Sequence, residues 1–182
     1  GYVAKHEPDM AFAEDKWFRG IDLNYGPDGA VYILDWSDPG ECHEHDGIHR
    51  RSGRVFRIAH GDAALDDPSD LTQFTPAVLG LMHKTHNGGW FARQARIESL
   101  HRARQAEHEP LLSLNRRSVS VAASDLRSLL DKEDAQVVQR LQALWTLYAI
   151  GAIKRERLEE LRYDPNEHMR AWALRLLTDD WP

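Results

Sequence analysis

Residues 20–36, GIDLNYGPDGAVYILDW, decide how the first part of this chain folds. Ile21 and Leu23 alternate with polar residues, and the run AVYIL that follows is β-branched and aromatic, as in a buried strand. Between them lies GPDG, and Asp-Gly is favoured where a tight turn needs a positive φ. The pattern therefore predicts an antiparallel β-hairpin.

Two further stretches have the character of strands. GRVFRIA, residues 53–59, places Val55 and Arg57 on one face and Phe56 and Ile58 on the other. GYVAKHE at the start of the sequence is a candidate for a fourth strand. Three or four antiparallel strands of this size are typical of one propeller blade or a small sheet, whose edges and open face must be covered by something else.

After HGDAALDDPSD the apolar residues recur with the period of a helix. Thr75 and Pro76 predict the N-cap and first residue of a helix over AVLGLMHK, and GGWFARQARIESLHRARQAEH predicts its partner. AQVVQRLQALWTLYAIG predicts a longer amphipathic helix, capped by Asp134 and ended by Gly151. Its apolar positions at helical spacing are Val137, Val138, Leu141, Leu144, Trp145 and Tyr148.

Three more helical segments follow the same reasoning. One is expected around residues 123–132, and KRERLEELRYD predicts a short one. Asp164, as N-cap before Pro165, predicts the start of a helix over HMRAWALRLL. Consecutive antiparallel helices joined by short turns are typical of an α-solenoid, with an irregular bundle as the alternative. A weak internal repeat points the same way, with Phe91 and Ala95 spaced like Met169 and Ala173.

The fold expected from these patterns is α+β. Residues 1–62 are predicted to form a small antiparallel β-sheet, like a propeller blade, and residues 63–182 an α-helical, HEAT-like solenoid. No apolar run approaches the roughly eighteen residues that a membrane span needs, and no export signal is visible at the start. A net charge of −6 with interspersed basic residues argues against binding to nucleic acid.

The segment between the second and third predicted strands holds the only cysteine of the chain and a cluster of histidines. Thiolate and imidazole suit zinc or copper, and neighbouring carboxylates could complete or orient the ligand set. A long hydrated loop with a small buried cysteine is the alternative, because adjacent Cys and His point apart in extended chain. The candidate metal ligands are Cys42, His43, His45, Asp46 and His49, with Glu44 beside them.

Other polar residues have simpler explanations. Asp22, Asp28 and Asp35 are possible oxygen ligands for calcium, but they sit where a strand face, a turn and a loop start account for them. His83, three residues before His86, is better explained by a helix end than by a metal site. The basic residues that we expect to form a solvated helix surface are Arg93, Arg96, Arg102 and Arg104. The serines that lack any nucleophile motif are Ser113, Ser118 and Ser120.

WFRGIDLNYGPDGAVYILDW and SGRVFRI, followed by GGWFARQAR and DPNEHMRAWALRLL, resemble the putative membrane-bound dehydrogenases of bacteria, relatives of glucose/sorbosone dehydrogenases. The resemblance extends over nearly the whole chain. It implies the last propeller blade and the HEAT-like repeats of a larger, exported or periplasmic protein. It transfers no catalytic residue, since the quinone pocket of such enzymes is assembled from several blades, and no Cys-x-x-Cys-His haem motif is present.

Three functions follow as hypotheses. The first is a non-catalytic scaffold that contacts the rest of the parent propeller or another protein. The second is a fragment of a sugar or alcohol dehydrogenase that depends on pyrroloquinoline quinone (PQQ) and calcium. The third is a metal-binding module built on the Cys/His-rich loop.

Overall fold

The structure is a computed structural model that describes residues 5–37, 52–61, 70–85, 89–111 and 113–179. Over these ranges the chain is α+β, with a three-stranded antiparallel sheet and six α-helices. It divides into two compact units, residues 1–65 and residues 66–182. The predicted domain boundary between residues 62 and 63 falls in a segment outside the described ranges.

The first unit contains the sheet, whose strands are β1 (Gly20–Tyr25), β2 (Val31–Asp35) and β3 (Arg54–Ile58). They lie side by side in the order β1-β2-β3, and both pairings are antiparallel. The predicted hairpin and third strand are confirmed. The proposed fourth strand is not found in residues 5–7, the described part of GYVAKHE.

The hairpin turn is closed by its own backbone and by one side chain. Gly26 N donates to Ala30 O at 3.0 Å, and Gly29 has a φ of 73°, which glycine adopts at little cost. Asp28 Oδ1 accepts a hydrogen bond from Ala30 N at 3.1 Å. The GPDG sequence thus specifies the turn by local chemistry, as predicted.

The second unit contains a single turn of 3₁₀-helix, Leu71–Gln73, and the six α-helices. Helix α1 packs on α2 and α3, α3 packs on α4, and α5 packs on α6. Helix α4 also contacts both α2 and α6, and these three helices are called the α2–α4–α6 layer. The helices are α1 (Pro76–Thr85), α2 (Trp90–Glu107), α3 (Leu114–Leu130), α4 (Val137–Ala149), α5 (Arg155–Leu161) and α6 (Glu167–Leu177).

The helical core is built mainly from α3, α4, α5 and α6. Leu144, Leu147 and Met169 are fully buried at its centre, and each such side chain contributes roughly 2–3 kcal/mol through burial. Ala95 in α2 and Ala173 in α6, the alanines of the suggested repeat, are also fully buried. Small side chains at these positions allow close approach of the neighbouring helices.

Helix α4 begins later than predicted. Its N-cap is Gln136, whose backbone N–H donates to the side chain of Gln139, and the prediction of Asp134 as the cap was wrong. Asp134 instead forms an exposed ion pair with Lys132. The end was predicted correctly, since Gly151 takes a φ of 67° just beyond the helix.

Two other helix starts also differ from the prediction. Helix α6 is capped by Asn166, whose Oδ1 accepts from His168 N at 2.9 Å, whereas Asp164 was predicted as the cap. Asp164 is held by Arg140 of α4. The helix expected around residues 123–132 begins much earlier, after the N-cap Ser113. The first half of this helix is largely polar, so the helical spacing of apolar residues could not be recognised there.

Candidate functional surfaces

The candidate metal ligands Cys42, His43, His45, Asp46 and His49 all lie in residues 38–51, outside the described ranges. Within the ranges that the structure describes, no three His, Cys, Asp or Glu side chains come together as a metal site would require. The metal-binding hypothesis for the loop therefore stays a prediction.

The two ends of that loop are joined at a polar stem. Asp35, at the end of β2, is the register partner of Arg54 at the start of β3, and Arg54 Nε donates to Asp35 Oδ2 at 2.6 Å. Ser52 Oγ donates to Ser37 O at 3.0 Å. Arg54 also pairs with Asp15 at 2.6 Å. Hydrogen bonds and an ion pair between described residues thus close the base of the loop.

Asp35 has an environment that keeps its carboxylate charged. Burial opposes ionisation, but hydrogen bonds from Arg19 N, Arg54 and Ser37 N outweigh it and lower the pKa of Asp35. The pKa of Asp15 is lowered by the Trp17 backbone N–H and by Arg54. This carboxylate–guanidinium–carboxylate arrangement fixes the geometry where the loop leaves the sheet.

The three aspartates considered for calcium are committed to other contacts. Asp28 Oδ2 accepts from Arg57 at 2.7 Å and from the Tyr32 hydroxyl at 3.3 Å. Asp22 Oδ1 accepts from the adjacent Leu23 N, and Asp35 belongs to the stem. Each aspartate therefore has a structural role in its own part of the sheet.

One face of the sheet is apolar across all three strands. Leu23, Ile33 and Phe56 are aligned by the strand register, and the next row is Tyr25, Val31 and Ile58. Leu23 is 67% exposed and Phe56 is 38% exposed, although exposed clusters of large apolar side chains are uncommon on monomers. The rows Leu23–Ile33–Phe56 and Tyr25–Val31–Ile58 are called the apolar sheet face below.

His83 lies in the last turn of α1, which confirms the predicted helix end, and its side chain is fully buried. Its Nε2 lies 3.2 Å from Thr146 Oγ1 of α4, while its Nδ1 has no hydrogen-bond partner within the described ranges. Burial, together with the positive charge of Arg96, lowers the pKa of His83 to about 4. The imidazole is therefore neutral at pH 7 and packs as part of the core.

Helices α2, α4 and α6 share a row of stacked cationic and aromatic side chains. The Arg96 guanidinium carbon lies 5.4 Å from the Trp145 ring centre, and the Trp145 and Trp172 centres are 4.9 Å apart, edge to face. The guanidinium of Arg175 lies 4.9 Å from the Trp172 ring centre. These four residues are called the arginine–tryptophan face.

Arg96 was predicted to be a solvated surface residue, and this is wrong. It is half-buried, and its Nη1 donates to Gln142 Oε1 at 2.9 Å across the α2–α4 contact. The sequence did contain a signal for this row, since Gln142 and Trp145, like Trp172 and Arg175, are three residues apart on one helix face. The stack itself depends on which helices become neighbours, which spacing alone does not reveal.

A cleft of about 520 Å³ lies where the α4–α5 connection meets α3. Its charged lining contains both signs, and Arg157 pairs with Asp131 and, at 2.6 Å, with Glu160. An adjoining cleft of about 620 Å³ shares Asp131 and Arg157 and contains the Arg140–Asp164 pair. Because these charges neutralise one another, neither cleft has the electrostatic character of a specific ion site.

No helix in the part of the chain that the structure describes is long and apolar enough to cross a membrane. Comparisons with protein-family models, curated proteins and solved structures give no significant match. The functional proposals therefore rest on the sequence and on the surfaces described above.

Proposed function

We propose that this chain is a non-catalytic interaction region of a larger bacterial protein that resembles the sugar dehydrogenases. The apolar sheet face is the observation that carries the proposal. Leu23 is two-thirds exposed on a sheet of only three described strands, and covering such a face would contribute about 25 cal/mol for each Å² removed from water. The occupant that we propose is the rest of the parent β-propeller.

The helical unit supports the same proposal in a different way. Its α2–α4–α6 layer, with α1 packed on α2 and α3 on α4, is the arrangement expected of a short HEAT-like solenoid. The buried alanines Ala95 and Ala173 match the suggested repeat. Solenoids present extended surfaces rather than enclosed catalytic pockets, which favours a scaffold role.

Side-chain footprinting by carbene labelling tests the proposal, with this chain alone compared against the full-length gene product. We expect Leu23 and Phe56 to be labelled in the isolated chain and protected in the full-length protein. Tyr163, which is 79% exposed in the helical unit, is the internal control and should be labelled in both. Equal labelling of Leu23 and Phe56 in the two proteins would contradict docking through the apolar sheet face.

The enzymatic alternative has a direct assay. This chain is mixed with PQQ, calcium, an aldose and a dye acceptor, and dye reduction is followed over time. We expect no sustained turnover, because a quinone pocket requires several blades. Sustained turnover would replace the scaffold proposal with that of a dehydrogenase fragment.

A further inference from the structure

The layer formed by α2, α4 and α6 is basic, although the chain as a whole is acidic. These three helices contain seven arginines and three glutamates, a net charge of +4, and the pairing of Arg140 with Asp164 outside them leaves +3 in a chain with a net charge of −6. Helix α4 contains no carboxylate, and the only one in α6 is Glu167, at its first residue. Positive charge is thus concentrated on the helices that form the arginine–tryptophan face.

The two arginines at the ends of this face are held by aromatic rings. Arg96 lies over Trp145 and is anchored by Gln142, whereas the exposed Arg175 lies over Trp172. A guanidinium stacked on an indole keeps its N–H groups at the rim of the ring, and at the exposed Arg175 they can donate to a carboxylate. The rings also restrict the rotamers of both arginines, which reduces the entropy lost when a ligand binds.

We propose that the arginine–tryptophan face binds an acidic, carboxylate-rich segment of a partner protein. The charge of the layer selects an anionic ligand, and the planar guanidinium groups match carboxylates, with which they can form two parallel hydrogen bonds. The half-buried tryptophans provide apolar contact for the aliphatic parts of the segment. This inference rests on the proposed interaction role and adds the chemistry of the partner.

Fluorescence anisotropy with a labelled peptide of glutamates interspersed with leucines tests the inference on the intact chain. The wild type should bind this peptide and should not bind the same peptide with glutamine in place of glutamate. Arg175→Glu should weaken binding by about tenfold or more, the scale of one lost charge-assisted contact. Arg155→Glu, which makes the same charge change at an exposed position of α5, is the matched control and should leave affinity unchanged.

Arg175→Lys keeps the positive charge but removes the planar guanidinium, so it distinguishes the contribution of planar stacking and paired hydrogen bonds to affinity from that of charge alone. It should recover only part of the lost affinity, because an ammonium cannot reproduce the planar contact with a carboxylate. Far-ultraviolet circular dichroism confirms that each variant is folded before it is titrated.

Three results would overturn the inference. These are no binding of the glutamate peptide, equal loss of affinity in Arg155→Glu and Arg175→Glu, and tighter binding of single-stranded nucleic acid than of the peptide. None of them bears on whether Leu23 and Phe56 become protected in the full-length protein, so the proposed function can stand or fall separately.

Discussion

The imidazole of His83 and the hydroxyl of Thr146 meet 3.2 Å apart, joining α1 to α4 across 63 positions of sequence. Because both side chains are fully buried, the pair ties the first helix to the centre of the helical core. The burial of His83, a titratable side chain, also makes the free energy of unfolding of the helical unit depend on pH.

The pH dependence follows from the two pKa values of His83. The pKa is about 4 in the folded chain, against an ordinary value of 6.5 when unfolded, so folding favours the neutral imidazole. Its contribution is fully present above pH 6.5, decreases as the pH falls from 6.5 to 4, and levels off below that. The maximum loss is about 3.5 kcal/mol, from about 1.4 kcal/mol per pKa unit.

Urea unfolding of the wild type and of His83→Gln between pH 4 and pH 7 measures this effect. The variant should show a flatter dependence of the free energy of unfolding on pH. His101→Gln, an exposed histidine in α2, should behave like the wild type. Equal slopes for the wild type and His83→Gln would refute the assignment.

The stem of the loop should be sensitive to the charge of Asp35. Asp35→Asn removes the ion pair with Arg54 and should lower the melting temperature of the sheet by several degrees, because the buried carboxylate that accepts from the Arg54 guanidinium is lost. Asp22→Asn is the matched control, since within the described ranges Asp22 accepts a local hydrogen bond from Leu23 and no other. Thermal melts give the melting temperatures of both variants, and hydrogen exchange of the β2 and β3 amides reports on the sheet itself. An equal effect of the two substitutions would contradict a stabilising role for the Asp35–Arg54 pair.

Substitution of Asn166, the N-cap of α6, can be compared with substitution of Asp134, which was wrongly predicted to cap α4. Asn166→Ala should destabilise the helical unit by about 1 kcal/mol, since its side chain accepts from two backbone N–H groups. Asp134→Ala should change the free energy of unfolding by less than about 0.5 kcal/mol, because it loses only an exposed ion pair. Denaturant unfolding monitored at 222 nm compares them, and a larger effect at Asp134 would show the cap assignment to be incorrect.

The Cys/His-rich loop offers a fourth test. Hydrogen bonds between Arg54 and Asp35 and between Ser52 and Ser37 hold the base of the loop, so we expect the double variant His45→Ala, His49→Ala to keep the melting temperature of the wild type. Elemental analysis of both proteins gives the zinc and copper content. Stoichiometric metal in the wild type that is lost in the double variant would favour the metal-binding hypothesis over a hydrated connection.

Features with local causes could be predicted from the sequence. The hairpin follows from the turn sequence GPDG and the flanking β-branched residues, and Gly151 ends α4 because glycine tolerates a positive φ. The apolar stripe predicted for α4 agrees in part with its burial, since Leu141 and Leu144 lie in the core whereas Val138 is 38% exposed. In each case the deciding residues lie within one or two turns of each other.

Features that depend on distant partners could not be predicted. Asp164 and Asn166 are both good caps, and Asn166 takes the role in a structure where Asp164 pairs with Arg140 of another helix. The sequence predicts Arg96 to be a surface residue, because the contacts that bury it come from Gln142 and Trp145 on another helix, α4. The candidate metal ligands in residues 38–51 lie outside the described ranges, so their prediction stands unchanged.

The polar stem has a consequence for how this protein can vary. Since Asp35 and Arg54 are held together at the base, we expect changes in the length of the chain between them to leave both strands in place. Each doubling of a flexible loop costs only about 0.6 kcal/mol in closure entropy. Insertions and deletions between these two residues should therefore be tolerated in natural variants, and a foreign peptide grafted there should leave the sheet intact.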